Sequence, residues 1–546
     1  MFKRLIVVSG PAGSGKSTLA TSLVDKFDVR VVKTRELILS MTKSKNERAD
    51  LQAAGNRLDT RTKGKWVADA VARYAEQFDD DVEVLVDSVR IPKQIDALRD
   101  KFGLRVVHVH LTADDTELAR RYKERGSRLG AELKTYAEVK HDPTEAHVED
   151  LAGLADICVA TDRCSTDDVV VRVASRLGFF GRSHDRLVDV LVGGQYGSEG
   201  KGNIASYLAA EYDVLVRVGG PNAGHTVYLG DGNTYAYHHL PSGTMQSNAQ
   251  LILGPGATLN VPNLMQEIAE CGVTADRLSI DPQAMIIDED DIKFETATLK
   301  KMIASTAQGV GAATARKVLR GAFPRKEKGE WKGRVRLARD VRELTPFIEE
   351  TRPLLDEAFR LGKRVFMEGT QGTGLSLQHG PYPHVTSRET TASGCLADAG
   401  IAPTRVRRVV MVCRTYPIRV QNTDTGQTSG PMEQEISYKE LADASGIPEA
   451  RLRETEKTTT TKRQRRIGRF EWSLLRRAAS LNGPTDIALT FADYIDAKNS
   501  TAQRLEQLTP DTIRFIEEVE AVTGAPVSLI STRFGPRSII DRRKWW

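Results

Sequence analysis

The residues best suited to chemistry near the start of the chain are Gly10-Pro11-Ala12-Gly13-Ser14-Gly15-Lys16-Ser17, which fit the spacing GxxxxGK[ST]. A β-branched run precedes them and the helical pattern TLATSLVDKF follows, so backbone N–H groups can wrap a phosphate at a helix N-terminus. Gly10, Gly13 and Gly15 give the loop its turns, Lys16 reaches the β- and γ-phosphates, Ser17 ligates Mg2+, and Thr18 closes the motif. A chance glycine-rich turn would look similar, but strand, loop and helix stand here in the required order. Asp87 ends the apolar run VEVLVD, as a metal-orienting acid would; an acidic strand end at a turn is the plainer alternative. Arg120, Arg121, Arg125 and Arg128 place several guanidinium groups on or just beyond one helix, which suits phosphate neutralisation or, more simply, a solvated charged face. Arg35, Arg48 and Arg90 are weaker candidates for holding the phosphate of an acceptor.

A second glycine-rich segment, GGQYGSEGKGNIASYLA from Gly193, also follows an apolar run and leads into a helical pattern. Its N–H groups can cradle a polyphosphate by the same logic, although its lysine, Lys201, sits inside GSEGKG and not at the Walker position. Then come PNAGHTV at 221–227, HHLPSG at 238–243, EGTQGTGLSLQHGPYPHVTS at 368–387, RTYPIRV at 414–420 and the basic run TTTTKRQRRIGR. Standing alone, the histidine of NAGHT reads as structural and the basic run as a surface phosphate patch.

The elements that must position these residues read as α/β. Leu5–Ser9, Arg30–Thr34, Val82–Asp87 and Arg105–Leu111 are buried strands separated by amphipathic stretches, the pattern of a parallel sheet. A second series runs through VDVLVGG, VLVRVGG, LILG, RVFMEG, VVMVCRTYPIRV, DIALTFAD and VSLIST. Between the two, RLGFFGRSHDRL loses periodicity, so the boundary falls near residues 178–186, giving a kinase-like unit over 1–180 and a larger unit over 186–546. The short linker suggests packed rather than loosely tethered units. The polar stretch Gln421–Arg469 reads as mobile surface loops of the kind that carry substrate-binding groups.

Composition agrees with this picture. At 546 residues one core is not enough, and 40% hydrophobic with 28% charged residues is ordinary for a globular protein. A net charge of +5 against 78 basic and 73 acidic residues argues against a nucleic-acid-coating protein. The five cysteines are scattered without a CxxC pair, no apolar run approaches the roughly 20 residues of a membrane span, and the start resembles no signal peptide. The expected home is the cytoplasm.

From 187 to 546 these motifs, long and collinear, resemble those of the adenylosuccinate synthetases, and the arginine-rich helix of the first unit looks like the lid of nucleoside monophosphate kinases. The resemblance implies an α/β ligase that phosphorylates the 6-oxygen of IMP with GTP and lets the aspartate amino group displace the phosphate. It implies that His225 hydrogen-bonds the reacting oxygen, that Ser198 and Lys201 share its catalytic loop, that Asn222 lies beside the purine and that the Gly224 carbonyl helps hold Mg2+. Thr306, Gln371 and Thr386 fall where the family holds the purine nucleotide, and Arg320 where a neighbouring subunit reaches its phosphate, so a homodimer is implied. Thr460, Thr461, Arg463 and Arg465 match the aspartate-binding loop, while Gly197, Gly200, Gly202 and Asp493 match the donor-nucleotide site.

Two departures matter. Ser198 stands where the family carries an aspartate that is both N1 base and Mg2+ ligand, roles a neutral hydroxyl cannot fill in the same way. Three readings follow: a site reshaped for a guanine base, whose 2-amino group needs the room; an IMP enzyme with another base; or an impaired nucleotide sensor. The first is preferred, and phage-type relatives that convert dGMP to 2-aminoadenylosuccinate share the exchange. Phe491 replaces the lysine of the TKxD guanine motif while Asp493 remains, and Ser531-Thr532-Arg533-Phe534-Gly535-Pro536 is altered from STGP, so ATP stands beside GTP as donor.

Overall fold

The computed structural model describes residues 2–45, 48–76, 82–129, 135–140, 145–162, 164–180, 185–222, 224–230, 232–321, 335–422, 426–458, 463–535 and 537–543. The chain divides into two compact units, Met1–Phe180 and Gly181–Trp546.

The first unit is built on a parallel five-stranded sheet in the order Arg30–Val32, Glu83–Val86, Arg4–Ser9, Val106–Thr112, Ile157–Ala160. Alternation along Arg4–Ser9 sends Leu5 and Val7 to one face, against Trp66, Val67 and Leu98. Ile6 and Val8 go to the other, against Leu19, Leu23 and Val170. Each such fully buried aliphatic contributes about 1.5–3 kcal/mol, so both faces of the central strand anchor the loop that leaves its end.

Two details differ from the sequence expectation. The second strand stops at Val32, because Asp87 accepts hydrogen bonds from the Thr34 backbone N–H, at 2.8 Å, and from its hydroxyl, which turns Thr34 into the helix Thr34–Met41. The fifth strand, Ile157–Ala160, was not anticipated: only Ile157 and Val159 point inward from this edge position, too short an alternation to stand out.

The second unit carries a nine-stranded sheet in the order Leu278–Ile280, Gln250–Leu253, Val214–Arg217, Val365–Glu368, Val188–Gly193, Val406–Arg414, Asp486–Thr490, Val527–Ser531, Ile539–Asp541. All neighbours are parallel except the last pair. Val188, Val190 and Val192 pack one face against Leu355, Phe359 and Ile516, while Leu191 packs the other against Ile204, Phe366 and Leu529. The strand at the centre of this sheet therefore reads as an unbroken apolar run.

The expectation that Gln421–Arg469 is loop is corrected. Helices Tyr438–Ser445 and Glu449–Thr455 and the three-stranded antiparallel sheet of Ile418–Val420, Arg465–Gly468 and Glu435–Ile436 close over a core of Ile418, Tyr438, Leu441, Ile447, Leu452, Ile467 and Tyr494. Average polarity hid a few apolar residues at helical spacing and a capping box in which Ser437 and Glu440 bond each other's backbone N–H at 3.1 and 2.8 Å. Among the described residues no helix is long and apolar enough to cross a membrane.

Candidate active sites

In the first unit the chain passes from Ser9 through Gly10 and Gly13 into the helix Lys16–Phe27, whose N-cap Gly15 has φ 96° and supplies no side-chain cap. The first-turn N–H groups thus have no side-chain cap, a geometry suited to an anion. Gly10 is obligatory here: at φ 142° a Cβ would stand 2.4 Å from the Leu111 carbonyl oxygen. Lys16 donates to the carbonyls of Gly10 and Pro11 at 2.6 and 3.0 Å, curled over the loop it would leave for a phosphate. Ser17, Thr18 and Asp87 line the same cavity, of about 1140 Å³, as do Arg35, Arg90 and Arg121. Arg121 is tied to Glu117 and to the Thr161 hydroxyl and carbonyl, Arg120 to Glu117 and Glu124, and Arg90 to Glu145. A phosphate-neutralising role for these arginines requires an exchange of partners. The side chains of Arg48, Arg125 and Arg128 lie outside the described residues.

The second unit repeats the device. Strand Val188–Gly193 leads through Gly197, at φ 106°, to Gly200, at φ 88°, which again caps a helix, Lys201–Leu208, without a side-chain bond. Gly202 lets this helix press on the next strand, since a Cβ there would stand 2.9 Å from the Cβ of His225. Glu199 is buried and shapes the loop from inside: it accepts from the backbone N–H groups of Gln195 and Gly197 at 3.0 and 2.8 Å and from Lys201 at 2.6 Å. Ser198, by contrast, is exposed.

His225 begins the strand His225–Gly230 and is 5% exposed. Its Nδ1–H donates to Glu368, the last residue of Val365–Glu368, and its Nε2 has no partner among the described residues. Burial and the neighbouring Arg217 guanidinium pull the imidazole down to about 4, against the pull of Glu368. Burial would raise the Glu368 carboxyl, but Arg217, His225 and Ser242 overcome it and hold it at about 2. The pair is therefore a neutral imidazole donating to a carboxylate, which fixes the tautomer and leaves the Nε2 lone pair for a ligand.

Around this centre, Asn222 accepts from the Thr306 hydroxyl at 3.4 Å. Gln371, buried and at φ 61°, lies beneath Gly197, where an added Cβ would approach its Cα to 3.3 Å. Thr386 is held by its backbone N–H on the Leu375 carbonyl at 2.8 Å. Arg320 lies apart, exposed at the end of the helix Val310–Val318. Thr460 and Thr461 lie outside the described residues.

Asp493 is 9% exposed, its Oδ1 has no partner among the described residues, and burial pushes its carboxyl up to about 7. Beside it, the Arg414 guanidinium covers one face of Phe491, 4.0 Å from its ring centroid. Arg414 is fully buried between Phe491 and Tyr494, bonds Glu456 at 2.6 Å and the Ser198 carbonyl at 3.2 Å, and exchanges two bonds with the Gln195 amide. Glu456 also holds Arg465 at 3.3 Å, and the Arg463 backbone pairs with Thr458. Neither Glu368, Arg414 nor Glu456 was singled out from the sequence. Glu368 and Arg414 sit inside the motifs EGTQGTG and RTYPIRV, where a charged residue closing an apolar run is a signal of its own.

The adenylosuccinate synthetase family model matches residues 190–329 and 332–500. Adenylosuccinate synthetases of Pyrococcus horikoshii and Methanocaldococcus jannaschii are 36% and 38% identical, each alignment covering 65% of this chain and 98% or 96% of the relative. This chain belongs to the adenylosuccinate synthetase family. It is accordingly a ligase that forms a C–N bond, its second unit spanning nearly the whole length of these synthetases.

Two solved structures extend the comparison. Adenylosuccinate synthetase of Plasmodium falciparum, 23% identical with a TM-score of 0.55 over 65% of this chain and 99% of its own, shares the fold. The succinoaminodeoxyadenylate synthetase of cyanophage S-2L, solved with dGMP and with dATP as energy donor, is 29% identical with a TM-score of 0.53 over 66% and 96%. The first unit matches an AAA domain model over residues 6–138. In this synthetase, among the described residues, no group of three or more His, Cys, Asp or Glu could hold a metal alone. Ser17 and Asp87 line the cavity of the first unit, and their hard oxygen atoms would suit Mg2+ arriving with nucleotide phosphates.

Proposed function

We propose that the second unit joins L-aspartate to C6 of GMP or dGMP through a 6-phosphoryl intermediate, giving 2-aminoadenylosuccinate, with ATP or GTP as phosphate donor and Mg2+ bound to its phosphates. In the same reading the first unit is a (deoxy)nucleotide kinase, and the ligase works as a homodimer that lends Arg320 across the interface. The observation that carries the acceptor choice is Ser198. The loop's other acid, Glu199, is turned inward onto Gln195, Gly197 and Lys201, so it does not refill the place of the missing carboxylate. A small neutral side chain there leaves room for a 2-amino group next to N1. The likeness to the cyanophage synthetase solved with dGMP and dATP supports the same choice.

His225 acts on the oxygen that receives the phosphoryl group. In the protein alone its Nε2 is a lone pair; the negative charge of a bound triphosphate raises its pKa, so Nε2 gains a proton and can donate to the developing charge at O6. Lys201 adds a buried cation on the same loop once it exchanges Glu199 for phosphate. Arg463 and Arg465, with Thr460 and Thr461, hold the aspartate carboxylates through charge-assisted bonds. Asp493 meets the donor base, and with Phe491 in place of a lysine the guanine O6 loses a donor, which favours ATP.

The test is a mass-spectrometric assay of protein, aspartate, Mg2+ and ATP or GTP with IMP, GMP or dGMP. The succinylated guanine-derived product is expected. An adduct with IMP alone returns the protein to conventional adenylosuccinate synthesis, and no adduct under any condition makes it a sensor.

A further inference from the structure

The lining of the first unit's cavity includes polar groups that phosphate transfer alone does not use. Asp59, from the helix Arg48–Thr62, lines it together with Gln94 and Trp66. Gln94 is 3% exposed and its amide has one possible orientation: Oε1 accepts from the Arg90 backbone N–H at 2.9 Å, so Nε2 must face Asp59, at 2.9 and 3.2 Å from its two oxygens. Trp66 Nε1–H donates to Asp59 Oδ1 at 2.6 Å. Oδ1 thus has two close donors, whereas Oδ2 has only the longer contact and keeps acceptor capacity. Burial raises the Asp59 carboxyl above its usual range despite these donors. Further N–H groups from a ligand would therefore be well placed to stabilise the carboxylate. The same carboxylate lines the cavity that also holds Lys16, Arg35 and Arg90.

We propose that Asp59, held by Gln94 and Trp66, reads the N1–H and 2-amino edge of a guanine nucleoside monophosphate bound in the first unit. This rests on the reading of that unit as a nucleotide kinase. Among the common bases only guanine sets two N–H donors side by side, one for the open acceptor capacity of Oδ2 and one for a longer contact with Oδ1 beside Trp66 and Gln94; the other bases would present a mismatched group to one of these carboxylate oxygens. Adenine and cytosine would turn a ring-nitrogen lone pair toward one of them, and thymine or uracil a carbonyl. Arg35 and Arg90 hold the acceptor phosphate near the P-loop. A phosphate oxygen of the acceptor forms the new bond to the γ-phosphorus of ATP, and the bond to the bridging oxygen breaks. ADP and a guanosine diphosphate leave, with no redox change and no other reactant.

The test uses the full chain with ATP and Mg2+, aspartate omitted, and detects nucleoside diphosphates by mass. dGDP is expected to form from dGMP with kcat/KM at least about tenfold above that for dIMP, which lacks only the 2-amino group, and further above dAMP; one hydrogen bond to a charged group accounts for that factor. Asp59→Asn should bring dGMP and dIMP within about twofold, chiefly through KM for the acceptor, with KM for ATP unchanged. Preference for dAMP or dIMP in the unaltered protein overturns the proposal without any variant. If no diphosphate forms that Lys16→Ala abolishes, the kinase reading itself fails, and this inference with it.

Discussion

His225 donates its Nδ1–H to Glu368, 143 residues further along the chain, and keeps Nε2 without a partner among the described residues at a buried site. Glu368 therefore sets the direction in which the imidazole acts. Replacing His225 with alanine should lower the single-turnover rate of succinylation by about 10²–10⁴-fold, the usual range for a proton-donating group. Glu368→Gln should cost less and move the alkaline limb of the rate profile to lower pH, because the carboxylate that supports protonation is gone. A wild-type pH profile in Glu368→Gln would detach the two residues.

Ser198→Asp restores a carboxylate on the exposed side of the loop. The ratio of kcat/KM for dGMP to that for IMP should fall by roughly tenfold, in line with a lost steric and electrostatic fit worth a few kcal/mol at most. An unchanged ratio, measured with both acceptors under saturating donor, would remove the steric argument.

Gly202→Ala tests packing behind the site. The added methyl would meet the His225 Cβ at 2.9 Å, so the helix Lys201–Leu208 must shift, at a cost of about 1–3 kcal/mol. Thermal melts should show the loss, and ligase activity should fall further than folding explains. Kinase activity in the first unit should stay intact, and its loss would speak against a local effect.

Asp493, raised to about 7 by burial, gives a signed pH dependence. Between about pH 4 and 7 the unfolded chain releases this proton while the folded chain keeps it, so the unit's stability falls as pH rises through that window. Asp493→Asn should abolish that slope. In binding, the neutral acid can donate to adenine N1 and the carboxylate can accept from guanine N1–H, so KM for GTP should drop above pH 7 and KM for ATP should rise. Parallel pH profiles for the two donors would refute the assignment.

Ser9 Oγ lies 2.6 Å from His108 Nε2 and 2.7 Å from His110 Nδ1, with both rings fully buried. Burial lowers both histidines, His110 to about 4. From pH 6.5 downward the unfolded chain gains protons that the folded one refuses, so the first unit loses stability on acidification. Hydrogen-exchange protection in peptides covering Val106–Thr112, relative to the intrinsic rate at each pH, should fall between pH 6.5 and 5, and His110→Asn should blunt the fall. An equal loss of protection in the variant would assign the lability elsewhere.

What was legible in the sequence follows from how local each constraint is. Gly10-to-Ser17 and Gly197-to-Gly202 could be read because a tight turn into a helix demands glycine at fixed offsets, a constraint within ten residues. The roles of Glu368, Arg414 and Glu456 could not, even where a charge closing an apolar run marks the first two, since those roles arise from pairings across the sheet and between distant segments: Arg414 meets Gln195 219 residues away. Gln421–Arg469 was misjudged because composition averages over the few apolar positions that build its core.

The buried Arg414 also has a thermodynamic consequence. One guanidinium touches the Phe491 ring, the Ser198 carbonyl and Glu456, which steadies Arg465. Under the proposed assignment of donor, acceptor and aspartate sites, three ligands would share this junction, and a displacement imposed by any of them would be felt by the other two. Linkage makes this mutual: by whatever factor the triphosphate tightens the enzyme's grip on the amino acid, the amino acid tightens its grip on the triphosphate.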